Sequence, residues 1–326
     1  MTKKLILASG GVVLGLFITA LTIYLALFSA PQPDSPQEST FVVSLGAQDS
    51  DSVGRLREQG FIKSTWAFNL ARKVKGYGHI PPGGYNLSKS EAVWQIAYEL
   101  TSQSPDLTWV TIPEGWRKEQ IGEKLAAELG WTPEELTDWN EKYTAMKFDY
   151  LEGVYFPDTY LIPVSEKNFE VAQRMISRFN EKFTPFIDRF AGKDILWTTG
   201  LKIASLIQRE TANPADMPLI SGIIWNRLST GMRLQIDATL QYAKGKTGDT
   251  WWGKVVPEDK TIDSLYNTYL HSGLPPAPIS NPGLDAIEAA LNPAETDCLF
   301  YLHDPSGLMH CAKTYEEHLE NINNYL

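Results

Sequence analysis

The sequence predicts an α+β protein in three parts: a single N-terminal transmembrane helix, a small α/β module, and a larger mixed α+β domain rich in helices. The first observation is the segment from Leu5 to Phe28, which contains no charged residue. The second is the stretch at residues 29–39, whose Pro, Ser and Gln content is typical of a linker. The third is that short β-type runs at residues 41–45 and 107–112 alternate with amphipathic helical patterns.

The N-terminal apolar segment favours a retained membrane anchor at residues 1–28. As a helix the segment from Leu5 to Phe28 would reach about 36 Å, enough to cross a hydrocarbon layer of about 30 Å. The alternative is a cleaved signal peptide, whose apolar region is normally only about 7–15 residues long. Lys3 and Lys4 precede the segment, so we expect the N-terminus in the cytoplasm and the rest of the chain outside the cytoplasmic membrane.

Composition excludes several classes of protein. The chain has 326 residues, of which 43% are hydrophobic and 21% are charged, so it can bury large cores and is not a disordered protein. Its net charge of -10 argues against nucleic acid as a main partner, because phosphate binding needs clustered Lys and Arg. The few Cys and His residues show no metal-ligand spacing, so the sequence predicts neither a metal site nor another cofactor.

The small module is expected at residues 40–104. A strand at residues 41–45 precedes helices at residues 52–59 and 64–75. Ser88 and Glu91 have the spacing of a capping box, which predicts a further helix that runs to about Thr101.

The larger domain is expected at residues 105–326. A strand at residues 107–112 opens it, and the stretches at residues 151–163 and from residue 232 to Pro282 are expected to be loops. Helical periodicity is found at residues 118–129, from Thr132, at 168–190, 198–211, 216–231 and 284–291, and from Thr314.

The two cysteines lie on the arms of a predicted hairpin. If residues 304–307 form its loop, His303 pairs with Leu308, and Cys298 and Cys311 become diagonal neighbours on one face. A disulfide can form in an oxidising compartment, but diagonal positions are usually too far apart for relaxed bridge geometry. This register therefore predicts two free thiols.

One acidic residue stands out as a candidate for chemistry. In the predicted helix at residues 198–211, Ile203, Leu206 and Ile207 form an apolar stripe, and Glu210 occupies the next position on it. Burial and the C-terminal end of the helix dipole both raise the pKa of a carboxyl there, as a general acid at neutral pH requires. The alternative is a buried ion pair with Arg227 or Arg233.

Several longer strings of residues carry further information about the protein. The chain contains IASLIQRET, then IIWNRLSTGMRLQIDATLQYA, YNTYLHSGLPPAPISNPGLDAIEAALNP and HCAKTYEEH, with VTIPEGWRKEQIGEKL and LEGVYFPDTY upstream. In this order the strings resemble the YceG-like family of endolytic murein transglycosylases. The resemblance covers nearly the whole chain after the apolar segment, and it identifies the small module as LysM-like.

The resemblance implies a function. Members of this family cut peptidoglycan glycan strands between N-acetylmuramic acid and N-acetylglucosamine and leave 1,6-anhydro ends without consuming water. Their essential Glu corresponds to Glu210. The implied partners are glycan strands, the membrane and a peptidoglycan synthase.

The supporting residues follow from the same strings. Asn226, Arg227, Gln235 and Asp237 either bind sugar and hold Glu210, or serve as helix-end and ion-pair residues. Asn267, Thr268 and Tyr269 are expected to contact substrate, with Tyr269 stacking on a sugar ring. Glu152, Asp158, His310 and His318 are expected to be structural.

Two departures from the family pattern leave the details of the groove open. The family usually has Pro after the Asp of its Ser/Thr-Asp-Pro string, where this chain has Ala238, and an aromatic residue where it has Ala312. Two other functions remain as alternatives: a muramidase that uses Asp237 as a second carboxylate, and a non-catalytic wall-binding scaffold.

Overall fold

The computed structural model describes residues 2–143, 152–211 and 213–326, and for residues 2–11 and 143 it describes the backbone alone. The chain divides into two compact units. Unit 1 comprises residues 1–110 and 161–165, and unit 2 comprises residues 111–160 and 166–326. Helices and a small sheet occur together, so the fold is α+β, as the sequence predicts.

Unit 1 starts with a long helix and continues with alternating strands and helices. Its elements in chain order are α1 (Thr2–Leu27), β1 (Glu38–Val43), α2 (Asp49–Glu58), α3 (Thr65–Lys75), β2 (Gly83–Ser88), α4 (Val93–Ser102) and β3 (Leu107–Thr111). A later strand, β4 (Thr159–Pro163), completes a sheet of order β1-β2-β3-β4. Among the residues whose side chains the structure describes, which include α1 only from residue 12 onward, no helix is both long and apolar enough to cross a membrane.

The sheet of unit 1 is built on close strand approach. β1 and β2 are antiparallel, with Phe41 opposite Tyr85. Gly84 of β2 pairs with Leu107 of β3, and a Cβ atom at Gly84 would lie 2.9 Å from the Leu107 side chain. Glycine therefore permits this pairing. The core between the sheet and the helices contains the buried side chains Val43, Leu56, Phe68, Ile96 and Leu100.

The caps of unit 1 agree with the sequence at one helix and differ at another. Ser64 caps α3, since its Oγ accepts a hydrogen bond of 3.3 Å from the amide of Ala67. The amide of Ser88 does donate to Glu91 at 3.0 Å, but α4 begins only at Val93. The Ser88–Glu91 pair therefore closes a turn before the helix, and its prediction as the helix cap is wrong.

Unit 2 contains most of the helices. They are α5 (Lys118–Leu129), α6 (Pro133–Asp138), α7 (Asn168–Ala191), α8 (Trp197–Glu210), α9 (Met217–Ser229), α10 (Asp237–Lys244), α11 (Leu284–Leu291) and α12 (Tyr315–Tyr325). A hairpin of β5 (Phe300–His303) and β6 (Met309–Ala312) precedes α12. Three of these helices begin as predicted, at Lys118, Asn168 and Leu284. By contrast, α10 lies in a stretch for which the sequence predicts loops.

Helix α8 lies in the core of unit 2. It packs against α7, α9, α10 and α11, and its side chains Ile203, Leu206 and Ile207 are fully buried. A Cβ atom at Gly200 would lie 2.4 Å from the ring of Phe190, so the close contact between α7 and α8 requires glycine there. This packing gives the C-terminal end of α8 a fixed position.

A buried carboxyl braces the loops around this core. Both carboxylate oxygens of Glu152 accept from the amide of Lys118, at 3.0 and 3.1 Å, and Oε1 also accepts from Asn281 Nδ2 at 2.6 Å. Burial raises the pKa of Glu152 to about 8. The bonds join the loop at residue 152 to the start of α5 and to the segment before α11, which is the bracing role that the sequence indicated for this residue.

The hairpin has a longer loop than the sequence predicts. His303 pairs with Met309 rather than with Leu308, and Tyr301 lies opposite Cys311. Asp304 closes a five-residue loop, since its Oδ1 accepts from the amides of Ser306 at 2.8 Å and of Leu308 at 3.0 Å. The predicted register is therefore wrong by one residue, because the Asp304 side chain holds a five-residue loop where a four-residue loop was expected.

The prediction of two free thiols is also wrong. Cys298 and Cys311 form a disulfide with a Cα–Cα distance of 5.9 Å. The expectation assumed that the strand ladder extends back to Cys298, whereas β5 begins only at Phe300. Before that point the chain leaves the ladder and can bring its Cys298 side chain to Cys311.

Candidate active site

Glu210 is the last residue of α8. The helix ends there because Thr211 adopts an extended conformation, with φ -95° and ψ 133°. Since the preceding turns of α8 are buried, the Glu210 side chain has a defined place at the edge of the core of unit 2. The expected position of this residue, at the end of a buried helical stripe, is therefore observed.

A tyrosine from the hairpin holds the Glu210 carboxyl. The hydroxyl of Tyr301 donates a hydrogen bond of 2.5 Å to Glu210 Oε2. Burial raises the pKa of Glu210, while the bond from Tyr301 acts in the opposite direction because it stabilises the carboxylate. Burial, together with the neighbouring Glu210, raises the pKa of Tyr301 well above its ordinary value, so its hydroxyl remains a donor.

The start of α10 faces the same carboxyl. The backbone amide of Ala238 lowers the pKa of Glu210, whereas the nearby charge of Asp237 raises it. The carboxyl thus lies between the C-terminal end of its own helix and the N-terminal end of α10, which act in opposite directions. Desolvation is the largest of these effects, so the net direction of the pKa is upward.

The alternative of a buried ion pair has no support in the structure. Among the residues that the structure describes, no Lys, Arg or His forms an ion pair with Glu210. Arg227 donates through Nε to the carbonyl of Leu299 at 2.6 Å, and Arg233 donates to the carbonyl of Tyr269 at 3.1 Å. Both guanidinium groups are therefore engaged by backbone carbonyls.

A cavity opens in front of Glu210. Its volume is about 580 Å³, and Glu210 keeps partial exposure to it although protein atoms surround most of the carboxyl. The cavity has a polar and aromatic lining, which suits a ligand with many hydroxyl groups and flat apolar ring faces. The lining residues are Glu210, Arg227, Leu234, Gln235, Ile236, Asp237, Lys260, Tyr269, Phe300, Tyr301, Tyr315 and His318.

Four of the predicted supporting residues lie in this cavity: Arg227, Gln235, Asp237 and Tyr269. The Tyr269 hydroxyl donates to Asp237 Oδ1 at 2.6 Å, so the two side chains are held together. Gln235 has a φ of 49° and an exposed side chain. Such a left-handed backbone costs free energy in a residue with a Cβ. Residues held in this way are often functional, which makes the Gln235 side chain a candidate for a role in the cavity. Contact of these residues with substrate stays a prediction.

The other three predicted residues make structural contacts. Asn226 donates through Nδ2 to the carbonyl of Thr296 at 2.7 Å. Asn267 is fully buried and donates to the carbonyls of Lys260 and Ile262 at 3.1 and 2.9 Å. These contacts favour the structural interpretation over direct contact with sugar.

Thr268 also makes structural contacts, and these hold the wall of the cavity. Its Oγ1 accepts from the amide of Ile236 at 3.0 Å and lies 2.9 Å from Thr239 Oγ1. Its carbonyl accepts from the amide of Gln235 at 3.2 Å. Thr268 therefore holds the segment that carries Gln235 and Asp237 and begins α10.

Sequence reasoning missed the contribution of the hairpin and α12. Tyr301 bonds Glu210 across 91 sequence positions, and Phe300, Tyr315 and His318 line the cavity. His318 was expected to be structural, and it does stack on Phe300 with ring centroids 5.4 Å apart, but it also faces the cavity. The alternation of strand residues indicates which hairpin side chains share a face, but not what that face meets.

The described residues contain no group of three or more His, Cys, Asp or Glu side chains that could hold a metal ion. The cavity contains a carboxyl with a raised pKa, that of Glu210, together with a tyrosine that orients it, a second carboxyl from Asp237, and a wall of polar and aromatic groups. This arrangement suits acid–base chemistry on a neutral, hydroxyl-rich ligand.

Comparison with known proteins places this chain in a family. Residues 41–324 match the profile of the YceG-like family. An endolytic murein transglycosylase of Streptococcus pneumoniae is 29% identical over 94% of this chain and 64% of its own length. The chain thus spans less than two thirds of that relative.

Two other relatives are covered more fully. An endolytic murein transglycosylase of Bacillus subtilis is 30% identical over 92% of this chain and 88% of its own length. The crystal structure of a YceG-like protein from Listeria monocytogenes has a TM-score of 0.58 at 27% identity and covers 88% of this chain and 99% of that one. Since the family profile matches from residue 41 almost to the C-terminus, the chain belongs to the YceG-like family.

Proposed function

We propose that this protein is an endolytic murein transglycosylase, a lyase that cuts the β-1,4 bond between N-acetylmuramic acid and N-acetylglucosamine in peptidoglycan glycan strands and leaves 1,6-anhydro ends. The relatives from S. pneumoniae and B. subtilis carry that name. The observation that carries the proposal is the Glu210 carboxyl, which has a raised pKa, lacks an ion-pair partner among the described residues, and faces a cavity of about 580 Å³.

The raised pKa suits the first step. Glu210 gives its proton to the glycosidic oxygen, the bond from that oxygen to C1 of the muramic residue breaks, and the N-acetylglucosamine side leaves with a new hydroxyl. Because Tyr301 donates to Oε2, the acidic proton is best placed on Oε1. The resulting carboxylate is stabilised by Tyr301 and by the Ala238 amide.

The carboxylate then acts as a base in the second step. It removes the proton of the C6 hydroxyl of the same muramic residue, and O6 forms a bond to C1. The proton that Glu210 lost is thereby restored, and no water is consumed. One carboxyl performs both transfers, in contrast to hydrolases that need a pair of carboxylates.

The test is product analysis with matched variants. Purified wild-type protein and Glu210→Gln are incubated with glycan strands, and the products are identified by mass spectrometry. We expect 1,6-anhydro ends from the wild type and a loss of activity of roughly a hundredfold or more for Glu210→Gln. Glu134→Gln, the same chemical change at an exposed position of α6, is the control and should remain active. A Glu210→Gln variant that cuts as well as the wild type would refute the assignment.

A second candidate is a hydrolase, because Asp237 lies in the same cavity as Glu210. In that reaction Asp237 would act as nucleophile or base, and the products would carry reducing ends, heavier by one water than anhydro ends. Asp237 Oδ1 already accepts from Tyr269, which favours a positioning role. If Asp237→Asn still produces anhydro ends, the hydrolase is excluded; reducing ends from the wild type would favour it. Binding to sacculi without any cleavage would instead indicate a scaffold.

We also propose that the protein is anchored in the cytoplasmic membrane by α1, with the N-terminus in the cytoplasm and the chain that follows α1 outside. The large apolar side chains of α1 from Val12 to Leu25 are exposed, with Val12 at 64% and Phe17 at 64%, which supports a lipid environment for them. An anchored enzyme would meet nascent strands first and would trim or terminate them beside peptidoglycan synthases, its proposed partners. Deletion of residues 1–24, which keeps Phe28 in the core of unit 1, should preserve activity on soluble strands and reduce function in cells.

Unit 1 is proposed to be the LysM-like, wall-binding part. It contains a cavity of about 630 Å³ with polar and Pro-rich walls, lined by Thr40, Asn86, Pro105, Asp106, Leu107, Pro163, Val164 and Ser165. Such walls suit a sugar chain better than an apolar ligand. The test is a sedimentation assay with isolated sacculi. Asn86→Ala should weaken the binding of Glu210→Gln protein to sacculi, and unchanged binding would argue against a wall-binding role of this cavity.

A further inference from the structure

The end of α1 packs against the rest of unit 1. Phe28 follows α1 directly and is buried in the core of unit 1, stacked on Trp94 with ring centroids 5.5 Å apart. The carbonyl of Phe28 accepts from the amide of Val93 at 3.1 Å. The chain therefore leaves α1 through packed core rather than through a free hinge.

A lysine caps the same helix end. Lys63 Nζ donates to the carbonyl of Leu25 at 3.1 Å and to Ser29 Oγ at 2.7 Å. A cation at the C-terminal carbonyls of a helix is stabilised by the helix dipole. This contact joins α1 to the segment before α3 and opposes rotation of the helix against unit 1.

The stretch at residues 29–39, which was expected to be a linker, makes hydrogen bonds to the rest of unit 1. The amide of Gln32 donates to the carbonyl of Lys89 at 2.9 Å, and Ser88 Oγ donates to the carbonyl of Ser35 at 3.2 Å. These bonds hold the segment against the turn that follows β2. It follows that the packed core of unit 1 begins directly at the end of α1, without a long spacer.

The surface at this junction has an unusual composition. Trp66 is 59% exposed although it lies edge-on to Phe28 at 6.1 Å, and Tyr24 is 45% exposed on the last turns of α1. Lys63 is exposed beside them. Tryptophan and tyrosine with neighbouring lysine are the residues that occupy the boundary between hydrocarbon and water in membrane proteins.

The position of this surface fits its composition. The exposed apolar side chains of α1 run as far as Leu25, and Phe28 lies only about 4.5 Å further along the helix axis. A lipid layer that covers α1 up to Leu25 would therefore bring its headgroups to the level of Trp66. We propose that Tyr24, Lys63 and Trp66 form a lipid-headgroup surface that seats unit 1 directly on the membrane. This inference rests on the proposed anchoring of α1.

The test places a probe at Trp66 in the full-length protein. Trp66→Cys and Val74→Cys are each labelled with an environment-sensitive thiol fluorophore and reconstituted into vesicles of phosphatidylethanolamine and phosphatidylglycerol. Val74 is the control because it is similarly exposed, at 64%, and lies about 12 Å further along the same helix. Cys298 and Cys311 are paired and should not take the label.

We expect the probe at residue 66 to show blue-shifted emission and roughly twofold or stronger quenching by headgroup-labelled lipids than the probe at residue 74. Equal quenching at both positions, with equal access to aqueous iodide, would overturn the headgroup surface. Flotation separates this failure from that of the anchor: protein that does not float with vesicles refutes the anchoring itself, and the surface with it. Cleavage of soluble glycan strands, measured on the same samples, reports on the enzyme independently.

A second measurement avoids the cysteine substitution. Trp66→Phe keeps an aromatic ring against Phe28, and the fraction of tryptophan emission that brominated lipids quench is compared with the wild type. We expect that fraction to fall in Trp66→Phe. If it is unchanged in a variant that floats normally, Trp66 does not contact lipid and the proposal is wrong.

Discussion

Removal of the Tyr301 hydroxyl should move the alkaline limit of enzyme activity to higher pH. The hydrogen bond from the Tyr301 hydroxyl to Glu210 is 2.5 Å long. It is strongest when the Glu210 carboxyl is ionised, because hydrogen bonds to charged acceptors are stronger than those to neutral ones. Hydrogen bonds to charged groups contribute about 1.5–3 kcal/mol. In Tyr301→Phe the carboxylate loses this stabilisation while the neutral acid loses less, so the pKa of Glu210 rises and its proton affinity should increase roughly ten- to a hundredfold.

The assay is kcat/KM on purified glycan strands as a function of pH. Glu210 must be protonated in the first step, so activity falls at alkaline pH as the carboxyl ionises, and the alkaline limb reports the pKa of Glu210. In Tyr301→Phe we expect that limb to move to higher pH. We also expect a lower maximum rate, because the carboxyl is no longer oriented by the hairpin.

The control is Tyr315→Phe. Tyr315 lines the same cavity, but in the described structure its hydroxyl makes no hydrogen bond to Glu210. Its alkaline limb should stay where the wild-type limb lies. An unmoved or acid-shifted limb in folded Tyr301→Phe would refute the assigned role of the tyrosine.

Four other predictions concern stability and binding. Since Glu210 has a raised pKa in the folded state, the stability of the wild type should fall as pH rises above the ordinary carboxyl value of 4.5, and Glu210→Gln should have the higher melting temperature at alkaline pH. Glu152→Ala leaves a buried amide and carboxamide without acceptors and should cost about 3 kcal/mol in denaturant unfolding. Replacement of Cys298 and Cys311 by Ser opens a loop of 13 residues and should cost about 3 kcal/mol by the same assay. Gln235→Gly relieves a left-handed backbone and should keep or raise the melting temperature by the equivalent of about 1 kcal/mol, while KM for glycan strands rises.

Each of these has a result that contradicts it. Equal melting temperatures of wild type and Glu210→Gln across the pH range would mean that the carboxyl is not desolvated. A neutral Glu152→Ala would show that water replaces the lost acceptor. A double Cys-to-Ser variant as stable as the wild type would mean that the disulfide does not stabilise the fold. A Gln235→Gly variant with unchanged KM would remove Gln235 from the binding site.

Local signals in the sequence were enough for many of the elements. The helices α5, α7 and α11 begin where their periodicity predicts, because each has an apolar stripe whose spacing determines its buried face. For the same reason Glu210 could be identified as a candidate: its spacing from Ile203, Leu206 and Ile207 places it on the packed face of α8.

Other elements depend on packing rather than on pattern. β2 contains two glycines and α10 only eight residues, so neither has a strong local signal, and both form because neighbouring elements bury them. The hairpin register was mispredicted because one side chain, Asp304, holds a longer loop. The disulfide was mispredicted for a related reason, since Cys298 lies before the start of β5 and is not held in the strand ladder.

The sequence by itself determined the apolar N-terminal segment, the α+β class, the family strings and the acidic residue at the end of a buried helix. Only the tertiary structure decided what surrounds that residue: Tyr301 from the hairpin, the first turn of α10, and a cavity wall held by Thr268. The physical reason is that periodicity tells which face of an element is buried, while the partner of a buried polar group comes from packing over long sequence separations, here 91 residues between Glu210 and Tyr301.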